Sequence, residues 1–283
     1  MKKEEEIKCK NCGIPLQGKF CHSCGQKLVE EKDKKLSTFF EQLFASLFFA
    51  DGKFLNTFKT MYRKPGEMSR SHILGIRKRY FNPLQLFFFV NLIYFLFPVI
   101  NTFNTNLDSH LTYQVYSESV KHVVENHLAN TDITYQDFRE DFEQTAAQYA
   151  KLLLILMVFF HALTMKVLFL NRKELYFTDF LATSAYFAAF YILNFLILFP
   201  GVIIQFNKFF SDGISSFINI NENLVSIFVI LILILYLIVF LKRAFQLKNL
   251  EAVTKSPLLA ISLVPAFILY RYILFWVTFW SVA

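Results

Sequence analysis

The chain has 283 residues, of which 55% are hydrophobic and 18% charged, with 36 phenylalanines and a mean hydropathy of +0.39. Ordinary soluble chains carry about 25% charged residues, so the composition excludes a typical soluble domain and points to contact with lipid. The net charge of +7 matters through its placement, and all four cysteines lie between Cys9 and Cys24, which leaves none to staple an exterior domain.

The first residues, MKKEEEIKCKNC, lack the apolar core of about 7–15 residues that a cleavable signal peptide needs. They lead into the most specific motif of the chain, Cys9-x2-Cys12-x8-Cys21-x2-Cys24, in a lysine-rich segment over residues 1–35. Four thiolates at this spacing can hold one tetrahedral Zn²⁺. Gly13 and Gly25 directly follow Cys12 and Cys24, where a positive-φ turn brings backbone N–H groups toward the sulfurs. So short a ribbon has no core of its own, and the metal should supply its folding energy. The zinc is expected to be structural, one per chain, since four cysteine ligands leave no position open for water. A rubredoxin-type iron centre would use the same ligands but lacks an electron-transfer context. A redox Cys-x-x-Cys pair would need a strand–helix unit. Nucleic-acid binding is disfavoured, because Glu4–Glu6 and Glu30–Glu31 offset Lys8, Lys10, Lys19 and Lys27.

Residues 36–82 form an amphipathic, basic juxtamembrane region. Leu36, Phe39, Phe40, Leu43, Phe44, Leu47 and Phe48 follow helical spacing, and Asp51-Gly52 ends the run. That helix is expected either in the membrane interface or against the transmembrane bundle. A second helix should place Phe54, Phe58, Met61 and Tyr62 on one face and end at Pro65-Gly66. Lys59, Arg63, Lys64, Arg70, Arg77, Lys78 and Arg79, with only Glu67 opposing them over residues 59–79, form a topology signal and an anchor for anionic lipid phosphates. A specific anionic-ligand site is the sharper alternative.

Residues 83–283 hold five apolar segments, Pro83–Phe103, Leu152–Leu170, Phe180–Ile204, Leu224–Leu241 and Pro257–Trp280, none containing Asp or Glu. A helix needs about 20 residues to cross the hydrocarbon, and helices satisfy their own backbone there. The expected fold is therefore all-α, a multi-pass bundle of five spans behind a minimal zinc ribbon and juxtamembrane amphipathic helices. Between the first two spans, residues 104–151 carry eight acidic and three basic residues. They should form a small exterior cap. Thr134 and Asp137 resemble a capping box that opens a helix near Tyr135 running continuously into the second span; a helix around Val120, Val124 and Leu128 should precede it. His110, His122 and His127 read as surface histidines.

The five-span arrangement puts 24 of the 29 basic residues on one side, including Lys166, Arg172 and Lys173 in one turn and Lys242, Arg243, Lys248 and Lys255 in another. Positive loops stay in the cytoplasm. The N-terminus is thus expected inside, in a reducing compartment that disfavours disulfides, and the C-terminus outside. Asn91, His161 and Asn194 are intramembrane polar groups whose ordinary role is hydrogen bonding between helices. Arg271, the one formal charge well inside a span, should touch the cap or snorkel to the headgroup zone.

Cys-x-x-Cys-Gly, Phe20-Cys21-x-x-Cys24-Gly25-Gln26, Thr57-Phe58, Arg63-x-Pro65-Gly66 and Gly75-x-Arg77-x-x-Tyr80-x-x-Pro83 follow one another in this order. The order resembles the bacterial membrane family catalogued as domain of unknown function 3667. Ile76 departs from it, standing where a lysine is expected. The resemblance implies a zinc ribbon and a membrane domain, and with the topology it places the chain in the bacterial inner (cytoplasmic) membrane. It brings no substrate or catalytic residue. No nucleophile elbow, His-Glu-x-x-His motif or P-loop is present. The expected function is that of an interaction, scaffold or sensor protein, with membrane lipids and a cytosolic protein as partners. A transporter or channel component and a membrane-embedded enzyme are the alternatives.

Overall fold

A computed structural model describes residues 8–9, 13–16, 18–23, 25, 53–76, 79–97, 103, 106–210 and 222–283. The chain divides into two units, residues 1–54 and 55–283. Regular structure among the described residues is helical, apart from an isolated antiparallel bridge between Lys8 and Pro15. The helix expected over residues 36–50 lies outside the described residues.

The second unit is entered through α1 (Lys53–Arg63) and α2 (Glu67–Ile73). The buried face of α1 is Thr57, Thr60 and Met61, whereas Tyr62 is half exposed. The expected apolar face is thus rotated, because Thr57 is committed to the protein: its Oγ1 accepts the Phe81 N–H at 3.1 Å. Between α1 and α2, Gly66 adopts φ 83°, and α2 ends in a turn closed by Gly75 at φ 80°.

Next comes α3 (Pro83–Leu96), capped by Asn82, whose Oδ1 accepts the Leu84 N–H. This helix has 14 residues, about 21 Å at 1.5 Å per residue, and so is shorter than the expected first span to Phe103. It stops at Phe97, with φ −127° and ψ 69°, since the ring of Pro98 disfavours helical backbone in the residue before it.

The acidic segment forms α4 (Leu107–Thr112) and α5 (Ser117–Ala129), then α6 (Tyr135–Leu153). Thr134 caps α6 as expected, its Oγ1 accepting the Asp137 N–H at 3.2 Å. The helix does not run straight into the next span: α7 (Ile155–Leu168) departs from α6 by 44°. At the break, Asn91 Nδ2 donates to Lys151 O at 3.4 Å and the Tyr270 hydroxyl to Ala150 O at 3.2 Å. Side chains that occupy carbonyls of the i→i−4 ladder bend a helix in this way.

The third apolar segment is α8 (Phe177–Tyr191), a π-helical stretch (Ile192–Leu198) and α9 (Phe199–Phe210). Pro200 has no N–H and its ring crowds the preceding turn; the wider ladder, in which the Phe199 N–H reaches Asn194 O, accommodates it. The chain continues with α10 (Glu222–Ala244), 23 residues long, and then α11 (Asn249–Ile261) and α12 (Leu263–Val282). Pro257 lies inside α11, so this helix begins well before the apolar run. Two stretches among the described residues, Phe177–Val202 and Asn249–Val282, are long and apolar enough to cross a membrane, and the bent α6–α7 pair makes a third.

One buried cluster joins α7, α8, α10 and α11 through residues such as Phe169, Phe180, Phe240 and Phe245. A second joins α4, α5 and α6 to the C-terminal half of α12 through Val120, Val124, Phe138, Phe142, Phe275 and Phe279. The Pro65-Gly66 turn is pressed on α10. Pro65 O accepts from Arg243 Nη1 at 3.0 Å, and a Cβ on Gly66 would overlap Phe240 O and stand 2.9 Å from Ala244 N. Both a left-handed backbone and a close approach therefore require glycine there. Gly66→Ala should lower stability by at least about 2 kcal/mol, read as thermal unfolding of the protein in detergent. Gly201→Ala, where a Cβ meets nothing within 4 Å, should be far milder.

Candidate functional site

In the first unit, Cys9 and Cys21 occupy equivalent positions in two equivalent turns. The Gly13 N–H donates to Cys9 O at 2.8 Å and the Gly25 N–H to Cys21 O at 2.8 Å. Both glycines have positive φ, 75° and 74°, and both cysteines are buried. Each turn folds the chain back four residues after a cysteine, the local geometry that a thiolate metal knuckle uses. Cys12 and Cys24, the other two expected ligands, lie outside the described residues.

At one end of the second unit the basic residues of two elements, α2 and α10, meet. Arg70 of α2 lines a groove with Lys242, Arg243, Gln246 and Asn249. Lys59, Arg63, Lys64 and Arg79 are exposed instead, and Arg77 and Lys78 lie outside the described residues. The structure therefore pairs one residue of the juxtamembrane basic run with two that the sequence marked only as topology signals. Nearby, the turn between α7 and α8 is tied to α11. Arg172 Nη2 lies 3.6 Å from a Glu251 carboxylate oxygen, and Lys255 Nζ sits 4.1 Å above the Phe169 ring.

The polar groups expected inside the membrane are mostly spent on backbone and on neighbouring side chains. Asn91 holds Lys151 O, as above. Asn194 Nδ2 donates to Phe190 O at 2.8 Å, and the Tyr62 hydroxyl donates to Asn194 Oδ1 at 3.0 Å. His161 is buried between α7 and α8, stacked on Phe187 with centroids 4.8 Å apart and 3.2 Å from Ser184 Oγ.

The opposite end carries the cap, where His110 is fully buried. That corrects the surface reading of this residue. Its ring contacts Phe142 and Phe275, and its Nδ1 lies 2.8 Å from the Tyr116 hydroxyl. His127 is half-buried between Phe138 and Phe279, whereas His122 is exposed. The signal was present in the sequence: Leu107, His110 and Leu111 share one helical face with the histidine among the apolar residues. Arg271 stands at the base of this cluster, half-buried, with its guanidinium 4.5 Å above the Phe267 ring. Burial, with the Arg271 charge second, pushes the His110 pKa down to about 3. Burial also raises Tyr116, against the opposing pull of Arg271. On the outer side, Arg139 bridges Asp108 at 3.2 Å and Glu143 at 3.0 Å. Burial and the hydrogen bond to Asp108 push Tyr135 up to about 12.

The model of the family described as Protein of unknown function (DUF3667) matches residues 51–95. The match supports the resemblance carried by the motifs from Thr57 to Pro83, and the DUF3667 segment spans α1, α2 and nearly all of α3. No curated protein and no solved structure matches the chain. The DUF3667 motif residues have identifiable mechanical roles. Thr57 holds the Phe81 N–H, Pro65 and Gly66 seat the turn on α10, and Gly75 closes α2. Tyr80 is buried, and Pro83 opens α3.

The buried His110 gives the cap a pH dependence. The unfolded chain binds a proton there as pH falls through about 6.5, while the folded protein binds it only near pH 3. Stability from this residue is therefore complete above about 6.5 and is lost as pH falls toward 3, by at most about 1.4 kcal/mol per pH unit. Between pH 7 and 5 the unfolding midpoint of His110→Gln should fall less than that of the unaltered protein. Equal falls would mean that His110 does not titrate in this window.

Proposed function

We propose that the chain is a five-span protein of the bacterial cytoplasmic membrane that presents a zinc knuckle to the cytosol and acts as an interaction, scaffold or sensor protein. The observation that carries this reading is the separation of charge along the bundle. Arg70, Lys242, Arg243, Arg172 and Lys255 gather at one end of the second unit, and the acidic cap with the C-terminal half of α12 lies at the other. With basic loops retained in the cytoplasm, the N-terminus is inside and the cap and C-terminus are outside. Two long apolar stretches and the bent pair are read as three of the spans; the apolar segments Pro83–Phe103 and Leu224–Leu241 of the sequence are read as the others. The packing and turn roles of the DUF3667 motif residues favour a mechanical part over a reactive one. The paired cysteine–glycine turns favour zinc held by Cys9, Cys12, Cys21 and Cys24. Lys59, Arg63, Lys64, Arg77, Lys78 and Arg79 contact anionic lipid. The 44° bend and the π-helical stretch favour a second reading, a transporter or channel component, since broken helices build transport sites.

Reporter fusions after Asp108, after Asp212 and at the C-terminus should read as exterior, and those after Gln26, Lys173 and Lys248 as cytoplasmic. An exterior signal after Lys173 would break the five-span reading. Purified protein should contain one zinc per chain, lost in Cys12→Ser. Deleting residues 1–35 should abolish crosslinking to a cytosolic protein while leaving membrane insertion intact. Ion flux in proteoliposomes that survives this deletion would favour the transport reading.

A further inference from the structure

A partly enclosed cavity of about 250 Å³ lies between α3, α7, α8 and the start of α12. Its walls are largely apolar and aromatic, including Phe87, Phe187 and Phe267, and its polar side chains are His161, Ser184 and, through its hydroxyl, Tyr191. Val264, also in the wall, is exposed. The cavity lies near the middle of the Asn249–Val282 stretch, at the depth of the hydrocarbon if that stretch spans a membrane.

The hydrogen bonds assign the histidine tautomer. Ser184 has one hydroxyl hydrogen, and it goes to Val158 O at 2.8 Å. Its Oγ therefore accepts from His161 Nδ1–H at 3.2 Å. In the neutral ring, Nε2 is then an acceptor, buried and with no partner among the described residues. His161 is only 2% exposed. An unpaired acceptor in such surroundings is destabilising, so it calls for a donor. Water is a poor one here, since a buried water usually needs about three polar partners and, with Ser184 committed to Val158 O, the wall side chains offer it only His161 and Tyr191.

We propose that this cavity binds a lipophilic molecule carrying one hydroxyl, which donates its hydrogen bond to His161 Nε2 while its skeleton lies against Phe87, Phe187, Tyr191 and Phe267. The volume exceeds the roughly 150 Å³ that suffices for benzene and falls just below the about 300 Å³ of small drug pockets. It suits one or two rings or a comparable length of chain. The ligand enters from the bilayer beside Val264. The inference rests on the membrane reading and would give the sensor a ligand class; it is independent of the zinc knuckle.

The test uses the full-length protein in detergent, with 2-naphthol as probe and 2-methoxynaphthalene, which has no donor, as its counterpart. Saturation-transfer NMR and the unfolding midpoint report binding. The unaltered protein should bind 2-naphthol at least about tenfold more tightly than the ether, the discrimination worth one buried hydrogen bond. His161→Phe keeps a ring beside Phe187 and should equalise the two probes. Ala188→Leu, which fills the cavity from its wall with His161 retained, should abolish binding of both. Equal binding of the two probes to the unaltered protein, no binding of either, or unchanged 2-naphthol binding in Ala188→Leu overturns the proposal. Failure of the membrane reading shows separately, as protein released from membranes by alkaline carbonate without detergent.

Discussion

Tyr270 shows the interaction on which the second unit depends. Its hydroxyl lies 3.2 Å from Ala150 O and 3.4 Å from Phe103 O, sharing one hydrogen between the break in α6–α7 and the segment after α3. A carbonyl left unpaired in hydrocarbon costs several kcal/mol, so every interruption of a helix needs a donor from a neighbour. Asn91 supplies a second one at the α6–α7 break, Asn194 serves the turn before the π-helical stretch, and the Tyr186 hydroxyl donates to Phe81 O at 2.6 Å ahead of α3. These bonds fix where each helix may bend, and the bends in turn decide which apolar faces meet.

That economy explains why so few polar atoms remain for chemistry inside the bundle. Asn194, Ser184 and Tyr270 each donate to backbone, as does Asn91 Nδ2, while Asn91 Oδ1 is buried with no hydrogen-bond partner among the described residues. His161 spends one ring nitrogen on Ser184 and keeps the other. His110 in the cap and Arg271 at its base sit among aromatic rings in edge-to-face, tilted and stacked pairs, His110 meeting Phe142 edge to face, offset geometries that suit π-systems. The guanidinium lies over Phe267, and a cation so placed is attracted by the ring's negative face. Burial, helped by the same charge, keeps His110 neutral.

The DUF3667 segment is a clamp in this architecture. α1 and α2 are bound to the residues before α3 by Thr57, and to α10 by the Pro65-Gly66 turn and Arg243. Through Arg70, the clamp also forms one wall of the basic groove. A displacement of α2 would therefore be felt at α10 and at the start of α8, which pack on it. Such coupling suits a part that links a juxtamembrane segment to a bundle.

Much of the local structure was legible in the sequence because it is set by neighbours along the chain. The positive φ of Gly13 and Gly25, the Thr134 cap of the helix at Tyr135, the helix around Val120 and Val124, and the long apolar helices of the third and fifth segments all follow from short-range rules. Other features required contacts between distant residues. Asn91 and Tyr270 reach α6 from 60 and 120 positions away, so no reading of residues 135–170 could place the bend. Thr57 buries its face of α1 because Phe81 needs an acceptor. His110 lies inside because Phe142 and Phe275 close over it, and Arg70 meets Lys242 and Arg243 because glycine lets two backbones touch at Gly66. Local propensity and apolar runs determined which elements form; satisfaction of buried polar groups across the bundle decided how they bend, what they bury and where a ring nitrogen is left to bind.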